Sequence, residues 1–132
     1  ACEKPLANTL DNARQMVDEL RRAHVYAIAS LAENSPNSLC EAQLAGLPCT
    51  ASYVGGIPSL VDDGVTGFLF PPGDAAVLAR RIKEIFLSDD LARRLGENAR
   101  RVALQRHDPA AVTACVLDTY RAVITQWESL QS

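Results

Sequence analysis

This sequence has no excess of basic residues and no long apolar run. Its 132 residues include 13 lysines and arginines and 16 acidic residues, which leaves a formal charge of −3. Because a nucleic-acid-binding domain normally shows a basic excess or a basic stripe, this balance argues against nucleic acid as a partner. No apolar stretch approaches the roughly 18 residues of a membrane-spanning helix, and no charged-then-apolar signal segment opens the chain. We expect no membrane span and no export signal.

The cysteines also lack a metal-binding pattern. The chain has no Cys-x-x-Cys pair, and both histidines stand apart from the four cysteines Cys2, Cys40, Cys49 and Cys115. No zinc ligand set occurs at a familiar spacing, so we expect no metal site. The last three cysteines sit among apolar neighbours, where a free thiol behaves as a small hydrophobe. Reduced cysteines of this kind are typical of the cytoplasm, which is the expected location.

Helical and strand-like segments alternate in the first half of the chain. A helix is predicted from about Thr9 to Ala23, followed by the continuous apolar run 25–30, which is typical of a strand covered on both faces. A second helix is predicted to begin at Pro36, with Ser35 as its N-cap and Gly46 as its C-terminal cap.

The second half is almost purely helical. Two short strands are predicted at 49–54 and 67–70, with a brief helix around 58–62 between them. Three helices then follow: Asp74 is predicted to cap the first, Ser88 or Asp89 is predicted to cap the second, and Asp108-Pro109 opens the third. The alternation predicts one α/β domain, residues 1–132, with a parallel sheet of three to four strands. Since doubly wound sheets usually have five or six strands, we expect that the opening strands of the domain are missing.

Two loops carry the candidate chemistry, since ligands of open parallel sheets bind beyond the carboxyl ends of the strands. In the first loop, the helix start at 36–38 presents backbone N–H groups and a positive dipole end, which suits phosphate. Asn37, Ser38 and Glu41 share one helix face, and Glu33 lies in the loop before it. A nucleotide sugar fits this arrangement, with its phosphates at the helix end and a vicinal diol on a carboxylate. Spacing alone leaves open that Glu41 is a solvated helix residue and Glu33 a loop charge.

The second loop contains Gly55 and Gly56, between a predicted strand and a predicted helix. Paired glycines allow positive φ and a close approach of the backbone to a ligand. A tight turn that needs small residues explains them equally well, so both interpretations stay open here.

Together these segments resemble the retaining, family-4 glycosyltransferases with the GT-B fold. Residues 33–41 match the E-x7-E motif of that family, and four further blocks follow in the family's order at 42–48, 55–58, 63–69 and 72–74. The resemblance extends from about Arg21 to Trp127. It implies a partial Rossmann-like sheet and the C-terminal, nucleotide-sugar-binding half of a two-domain enzyme.

The resemblance also implies a role for each candidate residue. Glu41 would bind the ribose hydroxyls, and Glu33, the catalytic candidate, would contact hydroxyls of the transferred sugar. Backbone amides would contact the sugar or the diphosphate, and the glycine loop would line the same cleft; these positions are Asn37, Ser38, Leu39, Gly55 and Gly56. Such enzymes transfer a sugar from a nucleoside diphosphate to an acceptor hydroxyl with retention, generally without a metal or a further cofactor.

Two departures from the family keep other functions open. Pro36-Asn37 stand where the family often has Phe-Gly, and Ser59 stands where it commonly has Glu. These features favour, as the alternative, a non-catalytic binding or assembly module; a sugar-nucleotide epimerase fragment is a third hypothesis. The acceptor-binding N-terminal domain is the expected partner of the leading hypothesis, and the fragment alone is expected to be inactive. An unpaired sheet edge also predicts self-association.

Overall fold

The computed structural model describes the backbone of residues 9–131, and all side chains in that range except those at 10, 13, 16, 17, 20, 21 and 131. In chain order the elements are α1 (Leu10–Arg22), β1 (Tyr26–Ile28), α2 (Asn37–Ala45), β2 (Cys49–Ser52), a 3-10 turn (Ile57–Ser59), β3 (Phe68–Phe70), α3 (Ala75–Phe86), α4 (Asp89–Arg106) and α5 (Pro109–Gln131). The predicted α/β class with an opening α-β-α-β alternation is confirmed. Cys2 lies outside the described residues.

The three strands form one parallel sheet in the order β1-β2-β3. In the middle of the sheet, Ala27 pairs with Thr50, and Thr50 pairs with Phe68. Because all strands run the same way, their carboxyl ends lie along one edge. The hydroxyl of Ser52 donates to the carbonyl of Ser30 at 2.7 Å and so ties the segment after β1 to the end of β2.

Local chemistry accounts for the helix ends. Gly46 adopts φ 82° after α2, and its N–H donates to carbonyls of the last turn, as its predicted capping role requires. The predicted cap at Asp74 is confirmed, and Ser88 is the N-cap of α4 among the two predicted candidates, since each side chain accepts a backbone N–H three residues later. α5 begins at Pro109, and the side chain of Asp108 accepts the N–H of Ala111.

The start of α2 differs from the prediction by one residue. The N-cap is Pro36, with φ −73° and ψ 112°, and α2 begins at Asn37. The carbonyl of Pro36 accepts the N–H groups of Leu39 and Cys40 at 3.1 and 3.4 Å. Proline already holds the φ that this half-helical position needs, so its carbonyl, rather than that of Ser35, receives the first bonds of the helix.

The core has two parts, one on each face of the sheet. The larger cluster joins α2 to β2 and the 3-10 turn, and contains Leu39, Cys40, Ala42, Leu47, Cys49, Ala51, Ile57, Leu60 and Val61. The smaller cluster is formed by Phe68, Ile85 and Leu95. α4 packs closely against the end of α2, because a Cβ at Gly96 would lie only 2.1 Å from the carbonyl oxygen of Gly46.

α5 is the exception to this packing. Every residue of α5 whose side chain is described is exposed, and Cys115 is exposed with them. The expectation that each free thiol packs like a small hydrophobe is confirmed for Cys40 and Cys49, which are buried. It is wrong for Cys115. Apolar neighbours along the sequence do not bury a thiol when the helix itself is uncovered. In the part of the chain that the structure describes, no helix is long and apolar enough to cross a membrane.

Candidate functional site

The two candidate loops meet backbone to backbone at the carboxyl edge of the sheet. A Cβ at Gly55 would lie 1.6 Å from the carbonyl oxygen of Glu33, and a Cβ at Gly56 would lie 1.9 Å from that of Asn34. Gly55 also has a positive φ of 51°. A side chain at either glycine would therefore displace the segment that carries Glu33.

This contact shows that the glycine pair approaches another segment of the protein, the one before α2. The two glycines are required because the segment before α2 lies against them, which is a structural reason that needs no ligand. Their predicted contact with a donor stays a prediction. The same contact nevertheless places the glycine loop beside Glu33, so one site can include both loops.

The two glutamates differ in how they are held. Glu33 is partly buried, and its Oε1 accepts the backbone N–H of Asn34 at 3.0 Å. Glu41 is exposed on the second turn of α2. The next residue, Ala42, is fully buried on the packed side of the helix. The carboxylate of Glu41 is therefore outside the apolar core and accessible to a ligand.

The first turn of α2 divides between solvent and core. Asn37 is exposed and Ser38 is partly buried. Leu39 is fully buried, and its N–H donates to the carbonyl of Pro36 at 3.1 Å. Leu39 therefore anchors the helix start, and its predicted contact with a donor through the amide stays a prediction.

Sequence reasoning missed Tyr26, which reaches this helix start from β1. Its phenolic oxygen lies 2.7 Å from Oγ of Ser38. Burial raises the pKa of Tyr26, against the lowering effect of the Ser38 hydrogen bond; Cys49, Glu33 and Glu41 make smaller contributions that also raise it. Tyr26 thus lies among three of the predicted site residues. The available signal was a polar-tipped aromatic side chain in an otherwise apolar strand.

A buried polar cluster fixes α2 from its other side. The amide of Gln43, which is 1% exposed, donates to the carbonyl of Leu60 at 2.8 Å. Arg106, at the end of α4, donates to Oε1 of Gln43 at 3.2 Å and to the same carbonyl at 3.3 Å. Because Leu60 directly follows the 3-10 turn, this cluster locks the segment after the glycines against the site helix.

Comparisons with known proteins show which family this chain resembles. The family model described as "Glycosyl transferases group 1" matches residues 9–102. The D-inositol 3-phosphate glycosyltransferase of Streptomyces coelicolor is 38% identical over 114 residues, which cover 86% of this chain and 24% of that protein. The sulfoquinovosyl transferase SQD2 of Arabidopsis thaliana is 33% identical over 118 residues, which cover 83% of this chain and 23% of that protein.

One solved structure is similar to this chain over most of its length. The crystal structure of Alr3699/HepE from Anabaena in complex with UDP superposes with a TM-score of 0.75 at 28% identity, over 79% of this chain and 29% of that chain. The same protein was also solved in complex with UDP-glucose. This chain spans about a quarter of the length of the curated relatives described above.

Proposed function

The chain belongs to the group 1 glycosyl transferases, and from that membership we propose that it forms the donor side of a retaining enzyme of family-4 type. Its α/β fold matches that of glycosyltransferases of the GT-B type. The proposed reaction moves a sugar from a nucleoside diphosphate to an acceptor hydroxyl. The crystal structures of Alr3699/HepE with UDP and UDP-glucose support a donor of this class.

One observation carries the proposal: the segment that bears Glu33 lies against the Gly55–Gly56 loop, directly before the start of α2. This contact brings together two loops that are about twenty residues apart in the sequence. Glu41 lies on α2, the helix that follows the first of these loops, and is exposed. A helix start suits the phosphates of a sugar nucleotide, and an exposed carboxylate suits its ribose hydroxyls.

Each group has a defined task in the proposed reaction. Glu41 accepts hydrogen bonds from the two ribose hydroxyls, and a charge-assisted bond of that kind contributes about 1.5–3 kcal/mol. The N–H groups and the dipole at the start of α2 stabilise the negative charge that develops on the leaving diphosphate. Glu33, whose orientation is fixed by the N–H of Asn34, contacts hydroxyls of the transferred sugar. We assign this work to the chain's own groups and to no further cofactor.

The proposed enzyme also needs a domain that binds the acceptor. We propose that an acceptor-binding N-terminal domain completes the cleft, because one side of a cleft cannot orient two substrates or exclude water. The chain alone would then bind the donor weakly and would not turn it over. The buried thiols of Cys40 and Cys49 support a reducing, cytoplasmic location.

A non-catalytic binding or assembly module is the second candidate. One contact favours it: the hydroxyl of Ser59 donates to the carbonyl of Gly56 at 2.7 Å. Ser59 therefore stabilises its own loop, at a position where the glycosyltransferases of the resemblance commonly have a carboxylate. Attaching the chain to the N-terminal domain of a relative and assaying hydrolysis of the sugar nucleotide separates the two candidates, since only an enzyme should gain turnover.

The test of the donor site is a titration of the chain with UDP, GDP and ADP, followed by NMR or calorimetry. We expect Glu41→Gln to weaken binding roughly ten- to hundredfold, because the loss of a charge-assisted pair of hydrogen bonds corresponds to about that factor. Glu97→Gln, at an exposed position on α4, is the matched control and should leave the affinity unchanged. Equal affinity of Glu41→Gln and the unmodified chain would remove the ribose role.

A further inference from the structure

A hydrogen bond between a strand and the site helix has no role in the function proposed so far. The phenol of Tyr26 on β1 and the hydroxyl of Ser38 on α2 are 2.7 Å apart, and the pair is partly buried. This distance is typical of a well-formed O–H···O hydrogen bond. It joins the sheet to the first turn of α2, where the phosphates of the donor are expected.

Either hydroxyl of this pair could be the donor, and the chemistry of the two favours one direction. A phenol is a stronger acid than an aliphatic alcohol, and therefore the better donor of the two. A tyrosine keeps its proton at neutral pH, and burial raises the pKa of Tyr26 further, so the phenol is able to donate. In this direction Ser38 accepts from Tyr26, and its own hydrogen is left to donate to a ligand.

This direction matters for an anionic ligand. Phosphate oxygens only accept hydrogen bonds, so a hydroxyl near them is useful only when its hydrogen faces them. When Tyr26 donates to Oγ of Ser38 from the side of β1, the hydrogen of Ser38 points away from β1. Polarisation along the chain of hydroxyls also strengthens the second bond.

We propose that Tyr26 is a positioning residue of the donor site, which commits the Ser38 hydroxyl to donate to a phosphate oxygen of a nucleoside diphosphate. This inference rests on the proposed function, and it adds a residue that contacts the ligand only through Ser38. It also makes the contribution of Tyr26 selective: a nucleotide with phosphates depends on it, and the corresponding nucleoside does not.

The experiment compares Tyr26→Phe with the unmodified chain in titrations with UDP, GDP and ADP and with uridine, guanosine and adenosine. Tyr26→Phe keeps the ring and its packing, and loses only the hydroxyl. We expect roughly a three- to tenfold loss of affinity for the bound diphosphate, which is the factor for one hydrogen bond, and unchanged affinity for the nucleoside. Tyr120→Phe on exposed α5 is the matched control and should change neither.

A double-mutant cycle tests the route through Ser38. We expect Ser38→Ala to lose at least as much affinity as Tyr26→Phe, and the double variant to lose no more than Ser38→Ala alone. Ser38→Thr keeps the hydroxyl, and should retain both the affinity and its dependence on Tyr26. A positioning role thus predicts rescue by threonine, which a merely structural loss would not show.

Three results overturn the inference, and they are distinguishable from one another. Unchanged diphosphate affinity in Tyr26→Phe excludes any role of the phenol. If Tyr26→Phe lowers the affinity for the diphosphate and for the nucleoside equally, Tyr26 acts through the general stability of the fold. The same conclusion follows if Tyr26→Phe lowers the diphosphate affinity by its full factor again in the Ser38→Ala background. If the unmodified chain binds none of the three diphosphates, the proposed function fails and the inference fails with it.

Discussion

Two helices of this protein have similarly apolar sequences, but one packs into the core and the other is exposed. α2 has nine residues, and Leu39, Ala42 and Gln43 on its inner face are at most 1% exposed. α5 has 23 residues and buries none of its described side chains. Its large apolar residues are each between 47% and 75% exposed, and they are Val112, Val116, Leu117, Tyr120, Val123, Ile124, Trp127 and Leu130.

The difference follows what each helix has to contact. α2 follows β1 in a β-α-β unit and contacts both the sheet and α4. Its apolar residues therefore have partners to pack against. α5 follows α4, and every side chain of α5 that the structure describes is exposed. The region that matches the family ends at residue 102, before α5 begins. Within the described residues, the site is therefore part of the region that packs, and α5 is outside it.

The largest expected effect compares a buried leucine of α2 with an exposed leucine of α5. Leu39→Ala should lower the free energy of unfolding by about 2–5 kcal/mol, because it opens a cavity in the larger core cluster. Leu117→Ala, which changes the same atoms on α5, should change it by less than about 0.5 kcal/mol. Denaturant unfolding followed by circular dichroism measures both. Comparable losses in the two variants would mean that α5 is covered in solution, and the contrast between the helices would disappear.

A smaller contrast is expected between two glycines that both have positive φ. Gly55 has φ 51° and lies against Glu33, whereas Gly73 has φ 80° and open space where a side chain would begin, with no atom within 4 Å. Alanine at either position should cost about 1–2 kcal/mol of conformational strain. Gly55→Ala should cost about 1–3 kcal/mol more, because the segment before α2 must move. It should also weaken nucleotide binding, which Gly73→Ala should leave intact.

Equal unfolding free energies for Gly55→Ala and Gly73→Ala would contradict this close contact between the loops. The candidate site would then lose the observation on which it rests, which is the contact between the glycine loop and the Glu33 segment. Nucleotide titrations of both variants provide the second readout.

Local patterns predicted much of this fold, because they depend on neighbours in the sequence. The cap at Asp74 is a contact between a side chain and an N–H three residues away, and Gly46 ends α2 through its own φ. Such features need no knowledge of the tertiary structure. The parallel direction of the strands also followed from the alternation of strands and helices.

The features that sequence reasoning missed are contacts between distant segments. Tyr26 and Ser38 are twelve positions apart and belong to different elements, and no spacing rule joins them. The partner of Gly55 was equally hidden, since a glycine pair indicates a close approach without saying what approaches. Exposure of Cys115 could not be predicted either, because burial of an apolar helix depends on the surface that meets it.

The smallest effect compares a cysteine of the packed region with one on α5, as a function of pH. Burial raises the pKa of Cys49 from 9.0 to about 12, with a further contribution from Cys40. The neutral thiol is favoured in the folded chain, so its contribution to stability is complete below pH 9 and is lost as the pH rises from about 9 to about 12. At pH 10, one unit above the ordinary value, the loss should be on the order of 1 kcal/mol.

The comparison uses the slope of stability against pH and not its absolute value. Cys49→Ala should lower stability at neutral pH, because a buried sulfur is removed, but should flatten the decline between pH 9 and 11 relative to the unmodified chain. Cys115→Ala, at an exposed position, is the matched control and should keep the original slope. An unchanged slope in Cys49→Ala would mean that solvent reaches the core between α2 and β2. The packed region and α5 would then differ only in how much solvent reaches their side chains.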